Sequence, residues 1–249
     1  MIIMDNGMNM NTFLEKMRSG PRIIAVTGHF GSGKTEFTVS LAFALARLRS
    51  AENGASERLA VADLDIENPY FRSRERQAAL EAAGVRVYSD PFNGRNGSEL
   101  QTISGSIRAP LEDEGCRVIL DAGGDASGAM ILNQFGKYFR RPHRLLCVVN
   151  PYRPGSDTAD KAVGHIRGIE EATGLRVTGL VANGHLIRET TADEVLRGWE
   201  FTADVAERTG IPALCACCME PLVPQCRGRG FEVFPIGMYM RESYLDRKV

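Results

Sequence analysis

The stretch VTGHFGSGKTEF, residues 26–37, constrains the fold more than any other part of the chain. It contains the pattern G-x-x-x-x-G-K-T from Gly28 to Thr35, directly after the apolar run RIIAVT and directly before a segment with helical periodicity. Glycines in this pattern let backbone N–H groups turn inward, and the N-terminus of the following helix adds partial positive charge. The stretch therefore predicts a strand, a loop shaped to hold phosphate, and a helix.

Each residue of this loop has a predicted part in holding a nucleotide. Lys34 is expected to reach the β- and γ-phosphates, and the Thr35 hydroxyl is expected to ligate Mg²⁺. A Gly-rich turn with a chance Lys-Thr pair is the alternative, but the motif and its context agree on a phosphate loop. The predicted nucleotide-binding residues of the loop are Gly28, His29, Phe30, Gly31, Ser32, Gly33, Lys34, Thr35 and Glu36.

Apolar runs alternate along the chain with segments that have helical periodicity. The runs are RIIAVTG, RLAVADLD, GVRVYSD, CRVILDAGG, HRLLCVVN, LRVTGLVANG and IPALCACC. The helix candidates span 34–49, 73–83, 98–114, 156–173 and 190–209. This alternation predicts an α/β fold with a doubly wound, mainly parallel sheet and helices on both faces.

Length and charge limit the domain organisation and the partners. The chain has 249 residues, 43% of them hydrophobic, so we expect one nucleotide-binding domain over 21–249. Residues 1–20 are predicted to be an N-terminal extension, helical or partly disordered. Because 30 Lys and Arg balance 31 Asp and Glu, we expect no nucleic-acid partner. No leader pattern or long apolar run occurs, which predicts a cytoplasmic protein without integral membrane contact.

Two segments supply the carboxylates that a Mg-nucleotide site needs at the ends of neighbouring strands. Asp63 and Asp65 close the first strand, and helix capping is the alternative interpretation of both, more so for Asp63. Asp121 ends the strand RVILD and suits an outer-sphere role at Mg²⁺, while the Gly124 N–H is a candidate γ-phosphate contact. The predicted metal residues are Thr35, Asp65 and Asp121, partly through water, and the predicted catalytic residues are Lys34, Asp65 and Asp121.

The order of phosphate loop, DLD, DAGG and an Asn-ending strand resembles the ParA/MinD group of P-loop ATPases, which is related to the nitrogenase iron protein. More narrowly, GHFGSGKTE, DLDIENPYFRSRE, LDAGGDASGA and VVNPYRP resemble a bacterial family of ATP-binding proteins of the CobQ/CobB/MinD/ParA type, in the SIMIBI class. The resemblance covers about residues 21–215. It implies that Asp65 positions the attacking water, that Asp121 is the switch aspartate near Mg²⁺, and that Asn183 hydrogen-bonds the base.

His29 departs from this resemblance, because ParA/MinD proteins carry a signature lysine there and use it across a nucleotide-sandwich dimer. A lysine stays charged and can stabilise phosphate in trans, whereas a histidine side chain is mostly neutral at pH 7. We therefore do not expect lysine-type activation, although a homodimer stays open. His29 is either a γ-phosphate contact or a residue packed over the loop.

Several other features have two interpretations on sequence alone. The loop NPYRP, 150–154, is a wall of the base pocket, a partner surface or only a Pro-stiffened loop. Asp125 is a turn residue or a switch residue. The arginines after DLD face a partner or are solvated; they are Arg72, Arg74 and Arg76.

The late cysteines and the remaining histidines do not have the spacing of a metal site. C-x-C-C is not a C-x-x-C pair, so buried structural thiols are favoured over a metal site. On a strand, Cys215 and Cys217 would share one face and Cys218 would point away. The other members of this set are Cys226, His143, His165, His185 and Trp199, and the last four are interpreted as ordinary core or surface residues.

These features predict a Mg-dependent ATP-binding protein and slow ATPase. ATP is expected rather than GTP, because neither VVNPYRPGSD nor LVANGHLIRE contains the guanine-specifying pattern N-K-x-D. Nucleotide state would switch loops 63–74 and 121–130 to act on a protein partner in maturation, metal insertion or positioning. The alternatives are a metabolic kinase or ATP-dependent ligase, with its acceptor near Asn68, Tyr70 and Arg72, and a nucleotide-binding regulator without significant hydrolysis.

Overall fold

The computed structural model describes residues 12–51, 57–65, 73–89 and 105–240. Its strands are β1 (Ile23–Thr27), β2 (Arg58–Asp63), β3 (Val85–Tyr88), β4 (Cys116–Asp121), β5 (His143–Val149), β6 (Gly179–Ala182), β7 (Ala213–Met219) and β8 (Val233–Ile236). They form one sheet in the order β3-β2-β4-β1-β5-β6-β7-β8. Every neighbouring pair of these strands is parallel, which confirms the predicted fold class and makes the described sheet parallel throughout.

Helices cover both faces of this sheet. The α-helices are α1 (Thr12–Ser19), α2 (Lys34–Ala51), α3 (Gln77–Ala82), α4 (Arg108–Glu112), α5 (Ala126–Ala129), α6 (Gly136–Phe139), α7 (Ala159–Thr173), α8 (Ala192–Thr209) and α9 (Val223–Cys226). Short 3-10 helices span Ser73–Arg76, Gly105–Ile107, Met130–Phe135, Ile187–Glu189 and Glu220–Leu222. No helix in the described segments is long and apolar enough to cross a bilayer.

Alternation of side chains along the central strand builds two cores. Ile23 and Ala25 belong to the core that α5 and α7 cover, whereas Ile24 and Val26 belong to the core that α1, α2 and α3 cover. Both cores are needed because a strand in a parallel sheet is apolar on both sides. The result is three layers, with the sheet between two helical layers.

The segment predicted as an N-terminal extension contributes to one of these cores. Within it, residues 12–19 form α1, whose Phe13 and Met17 are fully buried. The ring of Phe13 lies 6.1 Å from that of Phe37 on α2 and 5.3 Å from that of Phe234 on β8. This helix therefore packs as part of the fold.

The caps of the two long C-terminal helices follow the sequence signals. Thr158 accepts a hydrogen bond from the backbone N–H of Lys161 at the start of α7, and Thr191 and Glu194 form a capping box at the start of α8. Gly174 and Gly210 end the two helices with φ of 66° and 71°. Both helices therefore end directly before a glycine, at the predicted C-terminal bounds 173 and 209.

One strand has no counterpart in the sequence prediction. β8 is only four residues long and contains Pro235, a residue that removes a strand hydrogen-bond donor. It lies at the end of the sheet, where its only described neighbour is β7. An edge position is where a proline is tolerated in a strand, so tertiary context outweighed the local signal.

Candidate functional site

The phosphate loop between β1 and α2 needs its glycines for steric reasons. Gly28, Gly31 and Gly33 have φ of 146°, 74° and 88°, a region that favours glycine. A Cβ at Gly33 would lie 2.3 Å from Nδ2 of Asn183. The backbone N–H of Ser32 donates to the carbonyl of His29 at 2.9 Å and closes the turn. The loop is thus held in a tight turn before α2 begins at Lys34.

Acidic side chains from two strands converge on Lys34. β2 and β4 are neighbours, and Asp63 lies opposite Asp121 in their register. Nζ of Lys34 lies 2.8 Å from Oδ2 of Asp65, and each side chain is only 5% exposed. The backbone N–H of Asp65 donates to Oδ1 of Asp63 at 3.2 Å. Four charged side chains therefore share one buried space at the carboxyl edge of the sheet.

Asp121 stands out because neither carboxylate oxygen has a hydrogen-bond partner among the described residues, although the side chain is fully buried. Burial, together with the negative charges of Asp63 and Asp65, raises its pKa to about 8, while the positive charge of Lys34 opposes this shift. A buried carboxyl of this kind would gain a partner from a cation or from cation-bound water. Thr35, Asp65 and Asp121 offer oxygen atoms of the kind that Mg²⁺ prefers, and a magnesium site here stays a prediction.

The segment after β4 lies against the phosphate loop. The hydroxyl of Thr27 donates to the carbonyl of Gly123 at 3.0 Å. A Cβ at Gly124 would lie 2.8 Å from the carbonyl oxygen of Gly28. Asp125 caps α5 by accepting a hydrogen bond from the Gly128 N–H at 2.7 Å, so its observed role is that of a cap. Because they are in contact, a shift of the phosphate loop would therefore displace the segment after β4, and the reverse.

Asn183, at the carboxyl end of β6, supports the loop in this structure. Its Nδ2 donates to the carbonyl oxygen of Ser32 at 2.7 Å, and the residue is 1% exposed. Its Oδ1 is buried and has no hydrogen-bond partner among the described residues. The amide nitrogen is therefore engaged by the loop, and a base contact through Asn183 stays a prediction.

A cleft of about 350 Å³ opens beside the loop. One side is formed by the loop residues Phe30, Gly31, Gly33, Lys34, Thr35 and Glu36. The far wall is mainly apolar and consists of Ile187, Met219, Ile236, Met238 and Met240. Gly237, Arg153 and His185 complete the lining. A concave, mostly apolar site with a few polar groups is typical of small-ligand pockets.

Glu36 holds part of this wall in place. Its carboxylate accepts hydrogen bonds from the backbone N–H groups of Tyr239 at 2.7 Å and Met240 at 2.9 Å. Burial raises the pKa of Glu36, although these two hydrogen bonds lower it. These contacts connect α2 to the segment after β8, and the predicted role of Glu36 in nucleotide binding stays a prediction.

His29 packs over the loop, between two parts of the chain that sequence reasoning did not connect to it. Its ring lies 5.2 Å from the ring of His165 on α7. A Cβ at Gly155 would lie 2.6 Å from its Nε2. Burial, followed by the charge of His29, lowers the pKa of His165 to about 4. This favours the interpretation of His29 as a residue packed over the loop, and no local pattern in the sequence signalled His165.

The cysteines follow the strand pattern expected of them. Cys215 and Cys217 face the core under α2, whereas Cys218 belongs to a separate cluster with Cys226 on α9. Sγ of Cys218 lies 3.5 Å from Sγ of Cys226. All six cysteines of the chain are buried and unbonded to one another by disulfides. Within the described residues, no three His, Cys, Asp or Glu side chains form a metal-binding group.

Several predicted features lie outside the described residues. Of the predicted switch loop 63–74, residues 66–72 are outside them, and these include Asn68, Tyr70 and Arg72. Of the predicted helix 98–114, only residues from 105 onward are described, and the chain is helical there over 105–112. The predicted acceptor site of a kinase or ligase therefore stays a prediction.

Comparison with known proteins concerns the fold alone. No family model matches the chain, and no curated protein matches it. Among solved structures, the signal recognition particle receptor FtsY from Elizabethkingia anophelis in complex with GDP is similar at 16% identity and a TM-score of 0.48. FtsY from Mycoplasma mycoides is similar at 12% and 0.48, and chloroplast FtsY from Physcomitrella patens at 15% and 0.49. The matches cover 81%, 81% and 82% of this chain, and the chain spans 62%, 66% and 64% of those chains, respectively.

Proposed function

We propose that this protein binds ATP with Mg²⁺ and hydrolyses it slowly. The observation that carries the proposal is the convergence of Lys34, Asp65 and Asp121 beside a glycine-shaped loop, with both oxygens of Asp121 buried and unpartnered among the described residues. An unpaired buried carboxyl costs stability, so its retention is explained by a ligand that enters the same space. The adjoining cleft offers room for the base and sugar of a nucleotide.

Lys34 and Asp65 act together in this proposal. In the ligand-free protein, Asp65 neutralises Lys34 across 2.8 Å. Incoming phosphate oxygens compete for Lys34, because a lysine ammonium has three donors and binds phosphate strongly. Release from Lys34 frees the Asp65 carboxylate to orient a water molecule toward the terminal phosphate. Nucleotide binding at Lys34 is thereby coupled to the orientation of the attacking water by Asp65.

Thr35 and Asp121 would hold the divalent cation. The Thr35 hydroxyl lies at the start of α2, and Asp121 supplies carboxylate oxygens that accept from cation-bound water. Mg²⁺, when bound, neutralises charge on the phosphates. Cation binding favours the ionised form of Asp121, whose pKa is raised to about 8 without it. We expect the site to bind Mg²⁺ more tightly as the pH rises toward 8.

Adenine is the proposed base, supported by the absence of N-K-x-D from the sequence. The apolar wall with Met219, Ile236 and Met238 is suited to a flat heterocycle. Nucleotide state would reach the rest of the protein through Gly124, which lies against the loop, and through Gly123, which accepts a hydrogen bond from Thr27 directly before it. In this proposal, the segment 121–130 and the loop 63–74 then act on a protein partner, in maturation, metal insertion or positioning.

A regulator that binds nucleotide without significant hydrolysis is the second candidate. The observation that favours it is the position of His29, which packs against His165 and Gly155. A ring held there supplies no lysine-like charge to a terminal phosphate. Tight ATP binding without phosphate release would identify this class.

Phosphate release and nucleotide binding test the proposal together. Release is measured with Mg-ATP and with Mg-GTP, alone and with a panel of metabolites, and binding is measured by thermal shift. Slow release with ATP alone would support the proposal, whereas turnover that depends on an added acceptor would identify a kinase or ligase. Binding of neither nucleotide would refute it.

Two substitutions assign the residues. Lys34→Ala is expected to weaken ATP binding by about 100-fold, as the loss of a charged phosphate contact implies. Asp65→Ala is expected to keep binding and to lower turnover by about 100-fold. Lys161→Ala is the matched control, because the Lys161 side chain is exposed and, among the described residues, pairs only with Asp157. Retained ATP affinity in Lys34→Ala would overturn the assignment of the loop.

A further inference from the structure

The loop after β5, residues 150–156, is held by several hydrogen bonds and lies over the phosphate loop. Oδ1 of Asn150 accepts a hydrogen bond from the backbone N–H of Tyr152 at 3.0 Å, and the hydroxyl of Ser156 donates to the carbonyl of Asn150 at 2.9 Å. Asn150 is fully buried. The hydroxyl of Tyr152 also donates to the carbonyl of Glu194 on α8 at 3.3 Å. These contacts fix residues 150–156 before any ligand arrives.

This loop places the side chain of Arg153 on the tip of the phosphate loop. Nε of Arg153 donates to the carbonyl oxygen of Gly31 at 2.8 Å. A Cβ at Gly31 would lie 3.4 Å from Cδ of Arg153, so the stem runs along the loop backbone. The guanidinium is therefore anchored through one of its three nitrogens.

The other two nitrogens of Arg153 have no hydrogen-bond or ion-pair partner among the described residues. Arg153 lines the same cleft as Lys34 and Thr35. The charge of Lys34 is balanced by Asp65, whereas no described carboxylate pairs with Arg153. The positive charge of Arg153 reaches the cleft, because, after burial, it is the second cause of the lowered pKa of His185. This arrangement leaves one edge of a partly exposed guanidinium available to an anion in the cleft.

We propose that Arg153 contacts the phosphate chain of the bound nucleotide, in the same chain as the phosphate loop. A guanidinium presents two parallel N–H donors that match phosphate oxygens, and anchoring of Nε to Gly31 leaves that edge free. Because the hydrogen bond to Gly31 already holds the Arg153 side chain, little side-chain entropy is lost when phosphate binds. Arg153 thus supplies a fixed positive charge in addition to that of Lys34. The loop itself has no second lysine, because His29 occupies that position. This inference rests on the proposed function, since it assigns a residue of the same site.

Nucleotide affinity of Arg153 variants tests this role. Dissociation constants are measured for ATP and ADP, and adenosine binding is followed by ligand-observed NMR. Arg153→Ala is expected to weaken ATP and ADP binding by about tenfold or more and to leave adenosine within twofold, because adenosine has no phosphate. Arg153→Lys should be intermediate, since it keeps the charge but cannot bind Gly31 and phosphate at once. Arg176→Ala is the matched control, because Arg176 is 86% exposed and pairs with Glu170.

The outcomes separate this inference from the proposed function. If Lys34→Ala loses ATP while Arg153→Ala binds ATP and ADP within twofold of the wild type, the role of Arg153 is wrong and the phosphate site stands. An equal loss for adenosine would also overturn it, because it would place Arg153 on the base. If the wild-type protein binds no nucleotide, both proposals fail. An unchanged unfolding midpoint of Arg153→Ala excludes a folding defect as the cause of weaker binding.

Discussion

Charged side chains lie beside a cavity at both the amino and the carboxyl edge of the sheet. The two edges differ in how many of these groups have partners within the protein. At the amino edge, a cavity of about 320 Å³ is lined by Arg18, Arg49, Arg117 and Glu57. At the carboxyl edge, the cleft of about 350 Å³ adjoins Lys34 and Arg153. Because the two cavities are similar in volume, volume does not indicate which edge binds a ligand. The hydrogen bonds of the charged groups do.

The arginines of the amino edge are engaged by the protein itself. Nη1 of Arg117 donates to the carbonyls of Met17 at 2.8 Å and Pro21 at 2.9 Å, and its guanidinium also pairs with Glu57. Nη2 of Arg49 donates to the carbonyl of Gly84 at 2.8 Å. These arginines are structural, since they complete the ends of helices.

Most of the unsatisfied groups beside these two cavities lie at the carboxyl edge, although Nε of Arg144, near the start of β5, is also buried without a partner among the described residues. Both oxygens of Asp121, Oγ of Ser32 and Oδ1 of Asn183 are buried without hydrogen-bond partners among the described residues. In a parallel α/β fold, helices run opposite to the strands, so helix C-termini lie at the amino edge and N-termini at the carboxyl edge. Arginines therefore find carbonyls at the amino edge. The carboxyl edge instead combines helix N–H groups, which suit an anion, with unsatisfied carboxylate and amide oxygens, which suit a cation or its bound water. Unsatisfied polar atoms, rather than cavity size, indicate the ligand site.

The largest expected effect is on stability at the amino edge. Arg117→Ala should lower the free energy of unfolding by about 3 kcal/mol, because it leaves several buried carbonyls without donors. Arg58→Ala is the control, since its pair with Asp113 is exposed and should cost below about 1 kcal/mol. Urea unfolding measures both. A cost below about 1 kcal/mol for Arg117→Ala would contradict a structural role for this edge.

At the carboxyl edge, ionisation of Asp121 should destabilise the ligand-free protein, whereas the charge of Arg117 stabilises it at the amino edge. Its folded pKa of about 8 lies above the ordinary value of 3.8, so the stability it contributes is present below about pH 4 and is lost as the pH rises to about 8. Between pH 5.5 and 7.5, without Mg²⁺ or nucleotide, the wild type should lose about 2 kcal/mol more than Asp121→Asn. Urea unfolding at the two pH values measures this difference. If the free energies of unfolding of the two proteins changed equally with pH, Asp121 would already be ionised and hydrogen-bonded, which would contradict the prediction.

A smaller effect is expected for His185, which lines the cleft. Burial, followed by the charge of Arg153, lowers its pKa to about 4 from 6.5, so its contribution to stability is present above pH 6.5 and is lost as the pH falls. Its Nδ1 accepts a hydrogen bond from the Ile187 N–H at 3.3 Å, which protonation of Nδ1 would break. Between pH 6.5 and 5, the wild type should lose about 1.5 kcal/mol more than His185→Asn. Equal acid sensitivity would mean that the cleft is wetter than its lining indicates.

The centre of the candidate site could be predicted from the sequence because it depends on local patterns. A glycine-rich turn between a strand and a helix can be recognised from a few adjacent residues, as can a carboxylate that ends an apolar strand. Since the carboxyl ends of parallel strands meet at one edge, Lys34, Asp65 and Asp121 could be expected together before their positions were known. β8 was missed because its local signal, a short segment with Pro235, argued against a strand.

The chain by itself therefore determined the fold class, the phosphate loop and the strand ends from which the charged groups project. Only the tertiary structure decided what surrounds them: Asn183 on the carbonyl of Ser32, Glu36 on the backbone of Tyr239 and Met240, and Arg153 on Gly31. Periodicity and turn chemistry act over a few residues and can be read from adjacent letters. Contacts between residues far apart in the chain depend on how the layers pack, and no local pattern encodes them.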